Sequence, residues 1–285
     1  MPTCLLDQRA LIDVSGPDAE HFLQTIITTD LDQLKPGEAR AGALLAPQGK
    51  ILFDFIVSRA GPEAFNLECR AATAADLLRR LMLYRLRAKL DISLKEQQLV
   101  AVSWGDDSAS SSDDSNHVDR RFPDAARVVR HYGEAMDANA DIAAWDALRI
   151  AHAVAESGAD FQLGDAFPHD VLYDQNGGLG LKKGCYIGQE VVSRMQHRGT
   201  ARRRLLIAAG EGVLPAAGSE LTASGRALGT LGTVDGPNGL AIARIDRVKD
   251  AVDAGTPILA GDVPVTLAIP AWARFTFPES GGDAA

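Results

Sequence analysis

The sequence predicts an α+β protein that ends in a small all-β barrel or sandwich. Three observations carry this reading. From residue 41 to 104 the hydrophobic period switches between 2 and 3.6 in the order βββαββ, which suits a helix on one face of an antiparallel sheet. Gly105 to Asp119 holds five Ser and five Asp with no Lys or Arg, the composition of a flexible acidic linker. After Arg204, short apolar runs alternate with Gly/Pro turns and show no long helical period.

The elements follow in order. Leu5 to Val14 reads as a strand, and Ser15-Gly16-Pro17-Asp18 as a helix start with Ser15 as N-cap. Phe22, Leu23, Ile26 and Ile27 share one helical face and predict a core helix. Ala41 to Leu45 and Ile51 to Ser58 are strands joined tightly through Pro47-Gln48-Gly49-Lys50, and Ala64 to Cys69 is a third. Thr73 caps a helix carrying Leu77, Leu78, Leu81 and Met82. Its arginines collect near the C-terminal end, where cations complement the dipole. Strands follow at 91–94, 99–104 and 127–132, then a helix from Asp141 with Trp145, Leu148 and Ile150. Beyond Arg204, strands are expected at 205–207, 226–234, 240–245 and 263–267, and Thr276 to Ala285 as a frayed tail.

Composition narrows the function classes. The net charge of −9 excludes a general nucleic-acid binder. No run approaches the ~18 apolar residues of a membrane span, and the first residues lack the basic and apolar segments of a signal peptide. Cys4, Cys69 and Cys185 are odd in number and far apart, with neither disulfide nor metal-finger spacing, which leads us to expect a reducing cytoplasm. Charge is uneven, however. Lys182 to Arg204 holds seven Lys/Arg against one acid, Glu190, so the one strongly basic patch would attract an anion.

That patch contains the most informative stretch, Lys182-Lys183-Gly184-Cys185-Tyr186-Ile187-Gly188-Gln189-Glu190. Gly184 permits a tight or left-handed turn, and a short helix is expected from Gly188 with Glu190 in its first turn. A cysteine feeding a helix N-terminus beside lysines is favoured as thiolate. A small buried hydrophobe remains the other reading of Cys185.

The K-G-C-Y-x-G-Q-E run, Lys183 to Glu190, resembles the signature of the YgfZ family, folate-binding relatives of the glycine-cleavage T-protein linked to iron–sulfur protein maturation. Ala143 to Ile150 looks like the A-A-R-D-x-L-R-L helix of T-proteins, which places Arg149 on an arginine that helps hold folate there. Gly49 to Asp54 is similar to their G-G-x-x-D-D hairpin, and Leu228 to Thr233 to a strand of their barrel. The resemblance implies a GcvT-like ring of three domains, two interleaved α+β domains (one ferredoxin-like) plus a C-terminal β-barrel. The expected boundaries are a folate-binding region at 1–200, with the ferredoxin-like unit around 41–104 and the linker at 105–119, and the barrel at 201–285. It also implies tetrahydrofolate or a one-carbon derivative as ligand, held by Arg149, Phe167, Asp170, Lys182, Arg194 and Arg198. Cys185 is the reactive group of the motif Lys183, Gly184, Tyr186, Gly188, Gln189 and Glu190.

Departures matter as much. Phe53 replaces the first hairpin acid, and the glutamate that T-proteins carry after the arginine helix is absent, which disfavours glycine-cleavage aminomethyl transfer. Asp170 stands where many relatives have the longer glutamate. The resemblance implies an accessory factor for iron–sulfur cluster assembly or repair, with assembly or client proteins as partners and no resident metal or cluster. Two alternatives stay open: a folate-dependent one-carbon transferase, and a tRNA-modification accessory protein binding RNA weakly through the basic patch. No membrane partner is expected.

Overall fold

The computed structural model describes residues 1–105, 115–133 and 137–278. The chain divides into a first unit, Met1–Ile142 with Asn176–Val191, and a second, Ala143–Gln175 with Val192–Ala285.

The first unit opens with β1 (Thr3–Leu5), β2 (Arg9–Ser15) and α1 (Ala19–Ile26), then β3 (Glu38–Leu45), β4 (Ile51–Gly61), β5 (Ala64–Arg70) and α2 (Ala71–Arg85). It continues through β6 (Asp91–Leu94), β7 (Leu99–Ser103), β8 (Asn116–Asp119) and β9 (Val129–Gly133). All nine strands form one sheet in the order β1-β7-β9-β8-β3-β4-β5-β2-β6, antiparallel except where β3 meets β8. Side chains alternate across a strand. On β5, Phe65, Leu67 and Cys69 enter a core with Ile12 and Val14 of β2, Phe22 and Leu23 of α1, and Leu77 and Leu81 of α2.

The opposite face carries charge. Glu68 accepts from Arg9 Nε at 2.7 Å, from Arg130 Nη1 at 2.9 Å and from the Tyr132 hydroxyl at 3.1 Å. Arg130 Nε also donates to Asp119 at 3.0 Å, and Arg121 Nη2 at 2.8 Å. Burial pushes the Asp119 carboxyl up, but Arg121 and Arg130 overcome it and hold it at about 2. Arg130 lies on β9 and Glu68 on β5, four strands apart in the sheet order. In a flat sheet that is roughly 19 Å at ~4.8 Å per strand, beyond the reach of an arginine. The sheet is therefore curled into a half-barrel with this network on its concave side.

The second unit contains α3 (Ile142–Ala151) from its second residue, α4 (Gln189–Arg198), which starts in the first unit and runs on into the second, β10 (Arg203–Gly210), β11 (Glu220–Ala223), β12 (Arg226–Asp235), β13 (Asn238–Arg244), α5 (Ile245–Asp253), β14 (Ile258–Ala260) and β15 (Val263–Ala268). Its strands close into a barrel in the order β10-β13-β12-β11-β14-β15. Leu206, Leu221, Leu231 and Val265 fill it, joined by Ile245, Val248 and Ala251 from α5.

The α+β class with a terminal barrel stands, and several local expectations change. The strand expected over 5–14 is two strands, β1 and β2. The first helix begins at Ala19 with Asp18 at its N-cap, not Ser15, because Gly16 adopts φ +133° and delays helical geometry. The second begins at Ala71, and the Thr73 hydroxyl donates to Arg70 O instead of capping. Asn116–Asp119, expected in the linker, is strand β8, because Asp119 is drawn into the ionic network. Residues 106–114 of that linker and 279–285 of the tail lie outside the described residues. Beyond Arg204 the sequence reading also missed α5, whose Ile245, Val248 and Ala251 follow a three-residue spacing too short to stand out.

Candidate functional site

The motif loop is braced from two sides by segments distant in sequence. On one side Gly180 N donates to Thr28 O at 2.7 Å, and the Thr28 hydroxyl donates to Gly178 O at 2.7 Å. The buried Lys183 ammonium donates to Ile27 O at 2.9 Å and Thr29 O at 2.6 Å, and lies 5.2 Å from the centre of the Tyr186 ring. Burial pulls the Lys183 pKa down, to about 8, against the attraction of Asp30 and Asp32. A Cβ on Gly180 would fall 2.6 Å from Lys183 Cδ, so the glycine makes room for the lysine stem.

On the other side stands the β3–β4 turn, closed by Ala46 N to Lys50 O and Gly49 N to Ala46 O, each at 2.8 Å. Gly188 packs against it at φ +79°. The left-handed residue of the motif is therefore Gly188 and not Gly184, as first expected. A Cβ on Gly188 would lie 2.5 Å from Ala46 O and 2.9 Å from Leu45 Cβ, whereas one on Gly184 would meet nothing within 4 Å. α4 starts one residue later, at Gln189, with Glu190 in its first turn.

Between these braces Cys185 is exposed, while Cys4 and Cys69 are buried. Burial pushes the Cys69 thiol up to about 12, so it stays protonated. Of the motif, Tyr186 is buried, Gln189 is half-buried, and Lys182, Gly184 and Glu190 are exposed. Tyr186 serves as packing, and burial raises its hydroxyl pKa. At the hairpin, Phe53 packs against the main core of the first unit and Asp54 is buried.

The remaining sequence-named residues lie in the second unit. Arg194 and Arg198 are exposed on α4, and Phe167 is half-buried. Arg149 is 1% exposed. Its Nη1 donates to Asp160 at 2.8 Å and Val154 O at 3.0 Å. Its Nη2 donates to Asp146 at 2.6 Å and Thr233 Oγ1 at 2.9 Å, and Nε to Asp146 at 3.2 Å. Burial works against the charge, but the Glu156, Asp160 and Asp146 carboxylates more than offset it, and the pKa rises. The guanidinium is thus committed inside the fold, joining α3, the 154–160 turn and β12. Asp160 completes the node by accepting from Thr233 N and Oγ1, both at 2.7 Å. Gly232 is required beside it, since a Cβ there would lie 2.5 Å from Asp160 Oδ1. Asp160 was not named from the sequence, and Thr233 only as the end of the run Leu228 to Thr233, with no site role. The Gly232-Thr233 pair was the available signal.

Asp170 is buried and accepts from Phe167 N at 3.1 Å, with Arg203 Nε 3.7 Å away. His169 beside it is buried, its Nε2 3.0 Å from Gln196 Oε1. Burial pushes the Asp170 carboxyl from 3.8 to about 6, against the Arg203 guanidinium. The folded protein therefore holds this proton to higher pH than the unfolded chain does. Its stabilising contribution is complete below 3.8 and is lost as pH rises through about 6. Asp170→Asn should raise stability at pH 7 by on the order of 2–3 kcal/mol and flatten the dependence between those values. Denaturant unfolding of both proteins from pH 3.5 to 7.5 checks this; parallel profiles would put an ordinary carboxyl at Asp170.

A cleft of about 540 Å³ in the second unit is walled by Phe161, Leu228, Ile242, Arg203 and Arg244, and by none of the folate residues named from the sequence. Among the described residues no group of three or more His, Cys, Asp or Glu is placed to hold a metal ion.

Comparison with known proteins identifies what this architecture resembles. Residues 5–103 match the model of the GCVT N-terminal domain, and residues 202–275 that of the CAF17 C-terminal beta-barrel domain. The iron-sulfur cluster assembly factor IBA57, mitochondrial, of Mus musculus is 30% identical over 95% of this chain and 85% of its own length. The Homo sapiens protein of that name is 30% identical over 91% and 83%. The Chaetomium globosum homologue is 30% identical over 70% of this chain, which spans about half (54%) of that longer protein. Glycine cleavage system aminomethyltransferase T from Bartonella henselae superposes with a TM-score of 0.72 at 16% identity, over 95% of this chain and 86% of that one. The fold is thus GcvT-like. The cytoplasmic location expected from the cysteines gives way, because these relatives at about 30% identity are mitochondrial proteins by name. An odd, scattered cysteine count reports a reducing setting and cannot tell one reducing compartment from another.

Proposed function

Because the chain belongs to the IBA57/CAF17 (YgfZ) family of the GCVT superfamily, we propose that it acts in iron–sulfur cluster assembly by presenting Cys185 as a single thiolate ligand to a cluster carried by a partner protein. The observation that supports this is an exposed cysteine on a loop held rigidly from both sides, with the other two cysteines buried. Clusters commonly need four protein ligands. One cysteine can only complete or release a set that another protein provides. The cluster is thus cargo and not a resident cofactor.

Folate binding is the second part of the proposal and rests on the family resemblance. Lys182 on the motif loop and Arg198 on α4 are exposed cations, and either one suits the anionic glutamate tail of a folate. Arg149 fits less well, since its donors are already engaged. Its part would be to hold the surrounding backbone. Calorimetric titration with tetrahydrofolate should give saturable binding that Lys182→Ala or Arg198→Ala weakens. Absence of binding by folded protein removes folate from the proposal and leaves the cysteine part standing.

The cysteine part is tested by mixing the purified protein with an apo cluster-carrier protein, ferrous iron, sulfide and thiol under anaerobic conditions. Wild type and Cys4→Ala should form a joint species with iron–sulfur absorption, and Cys185→Ala should reduce its yield at least about tenfold. Equal yields from Cys185→Ala, with an unchanged circular dichroism spectrum, would overturn the role of Cys185.

A further inference from the structure

Helix α2 has two apolar faces and only one of them is covered. Ala74, Leu77 and Leu81 are buried against the sheet. The outward side carries Ala72, Ala75, Asp76, Arg79, Met82, Leu83 and Leu86 at the spacing of a second helical stripe. Met82, Leu83 and Leu86 are 45%, 69% and 87% exposed. The two polar members of the stripe, Asp76 and Arg79, pair with each other. Leu86 ends the helix at φ +47°, ψ −107°, a backbone region that leucine rarely adopts. The chain's own packing gives no return for that strain, since the side chain it presents touches mostly water.

The borders of the stripe are basic. Residues 71–90 hold five Arg/Lys (Arg79, Arg80, Arg85, Arg87, Lys89) against one acid, on a molecule of net charge −9. Such a centre-and-rim arrangement matches a protein interface, with apolar anchors inside and charge at the edge. An anionic lipid surface would also meet the cations. It would, however, have to take the Asp76–Arg79 pair toward hydrocarbon, where nothing replaces lost hydration. A protein surface can hydrogen-bond that pair. The small Ala72 and Ala75 also allow another helix to approach closely.

We propose that the outward face of α2 docks a protein partner through an amphipathic helix whose apolar stripe is flanked by Asp and Glu. The site shares no residue with the cysteine loop and goes beyond the function proposed above. Two synthetic helical peptides with one identical leucine stripe, flanked by Glu or by Lys, serve as probes, together with vesicles containing phosphatidylglycerol. The expected result is binding of the Glu-flanked peptide, at least about tenfold tighter than the Lys-flanked one and weakening with salt. Leu83→Ser/Leu86→Ser should weaken binding of the Glu-flanked peptide at least about tenfold, and Arg80→Glu/Arg87→Glu should abolish the preference for it over the Lys-flanked one. All four side chains are exposed, so the fold should persist. Equal affinity for the two peptides, no binding of either, or undiminished binding by the leucine variant overturns the proposal. Sedimentation with vesicles that depends on Leu83 and Leu86 reassigns the face to lipid and overturns it as well. The Cys185 assay above reads the same in both double variants, which keeps the two proposals apart.

Discussion

Gly188→Ala is expected to lower the stability of the first unit by about 3 kcal/mol, combining a left-handed alanine with overpacking of a tight contact. At roughly 2–4 °C per kcal/mol for a unit of this size, the melting temperature falls by about 6–12 °C. The cause is local and specific. The residue sits at φ +79°, and its new methyl would lie 2.5 Å from the Ala46 carbonyl oxygen, which belongs to a closed turn and cannot retreat. Relief requires the loop to lift away from the β3–β4 turn, and Cys185 travels with it. Gly184→Ala is the matched control. It stands one residue before Cys185 and meets nothing within 4 Å, so it should unfold within about 0.5 kcal/mol of wild type. Differential scanning calorimetry separates the two. Equal melting temperatures for both variants would mean that the loop is not braced at Gly188.

Arg149→Ala should destabilise the second unit by about 3–5 kcal/mol, the range for removing one partner of a buried pair. The loss leaves the Asp160 carboxylate fully buried with only backbone and hydroxyl donors, and it unties α3 from β12. Arg149→Lys should fall between, because an ammonium keeps the charge but cannot span Asp146, Asp160 and Thr233 as a planar fork does. Thr233→Val removes one hydroxyl from the node and should cost about 1–2 kcal/mol. Urea unfolding followed by tryptophan fluorescence reads all three, since Trp145 lies buried one turn before Arg149 on α3. The same variants test what the arginine does for folate. If its role is architectural, the folded fraction of Arg149→Ala binds tetrahydrofolate as wild type does. Undiminished stability with lost binding would make the guanidinium a ligand contact instead.

Much of the fold was legible because its signals are local. The run from Glu38 to Arg85 alternates or turns with the period of the element it forms, and the turns between carry Gly or Pro. The elements that escaped were weak locally and made by distant partners. Asn116–Asp119 has the composition of a loop, yet Asp119 binds Arg121 and Arg130 and the strand pairs with β9 and β3. At the candidate site, the motif announced itself through Cys185 and two glycines. Which glycine bears the geometric constraint could not be read from it. Gly184 and Gly188 look alike in sequence, and only the packing of Ala46 against one of them separates their roles.

The sequence by itself determined the class of the fold, the basic patch on an acidic chain, and the cysteine loop with its two glycines. These depend on composition, short-range period and an eight-residue pattern. The tertiary structure alone decided which side chains are available for chemistry. Lys183 is spent on carbonyls of residues 27 and 29, Arg149 on a node with Asp160 and Thr233, and Cys185 is left exposed. The physical reason is that burial and hydrogen-bond partnership are pairwise properties of residues far apart in the chain. Two cations with the same charge and neighbours in sequence become a structural brace or a surface group according to what the fold brings against them.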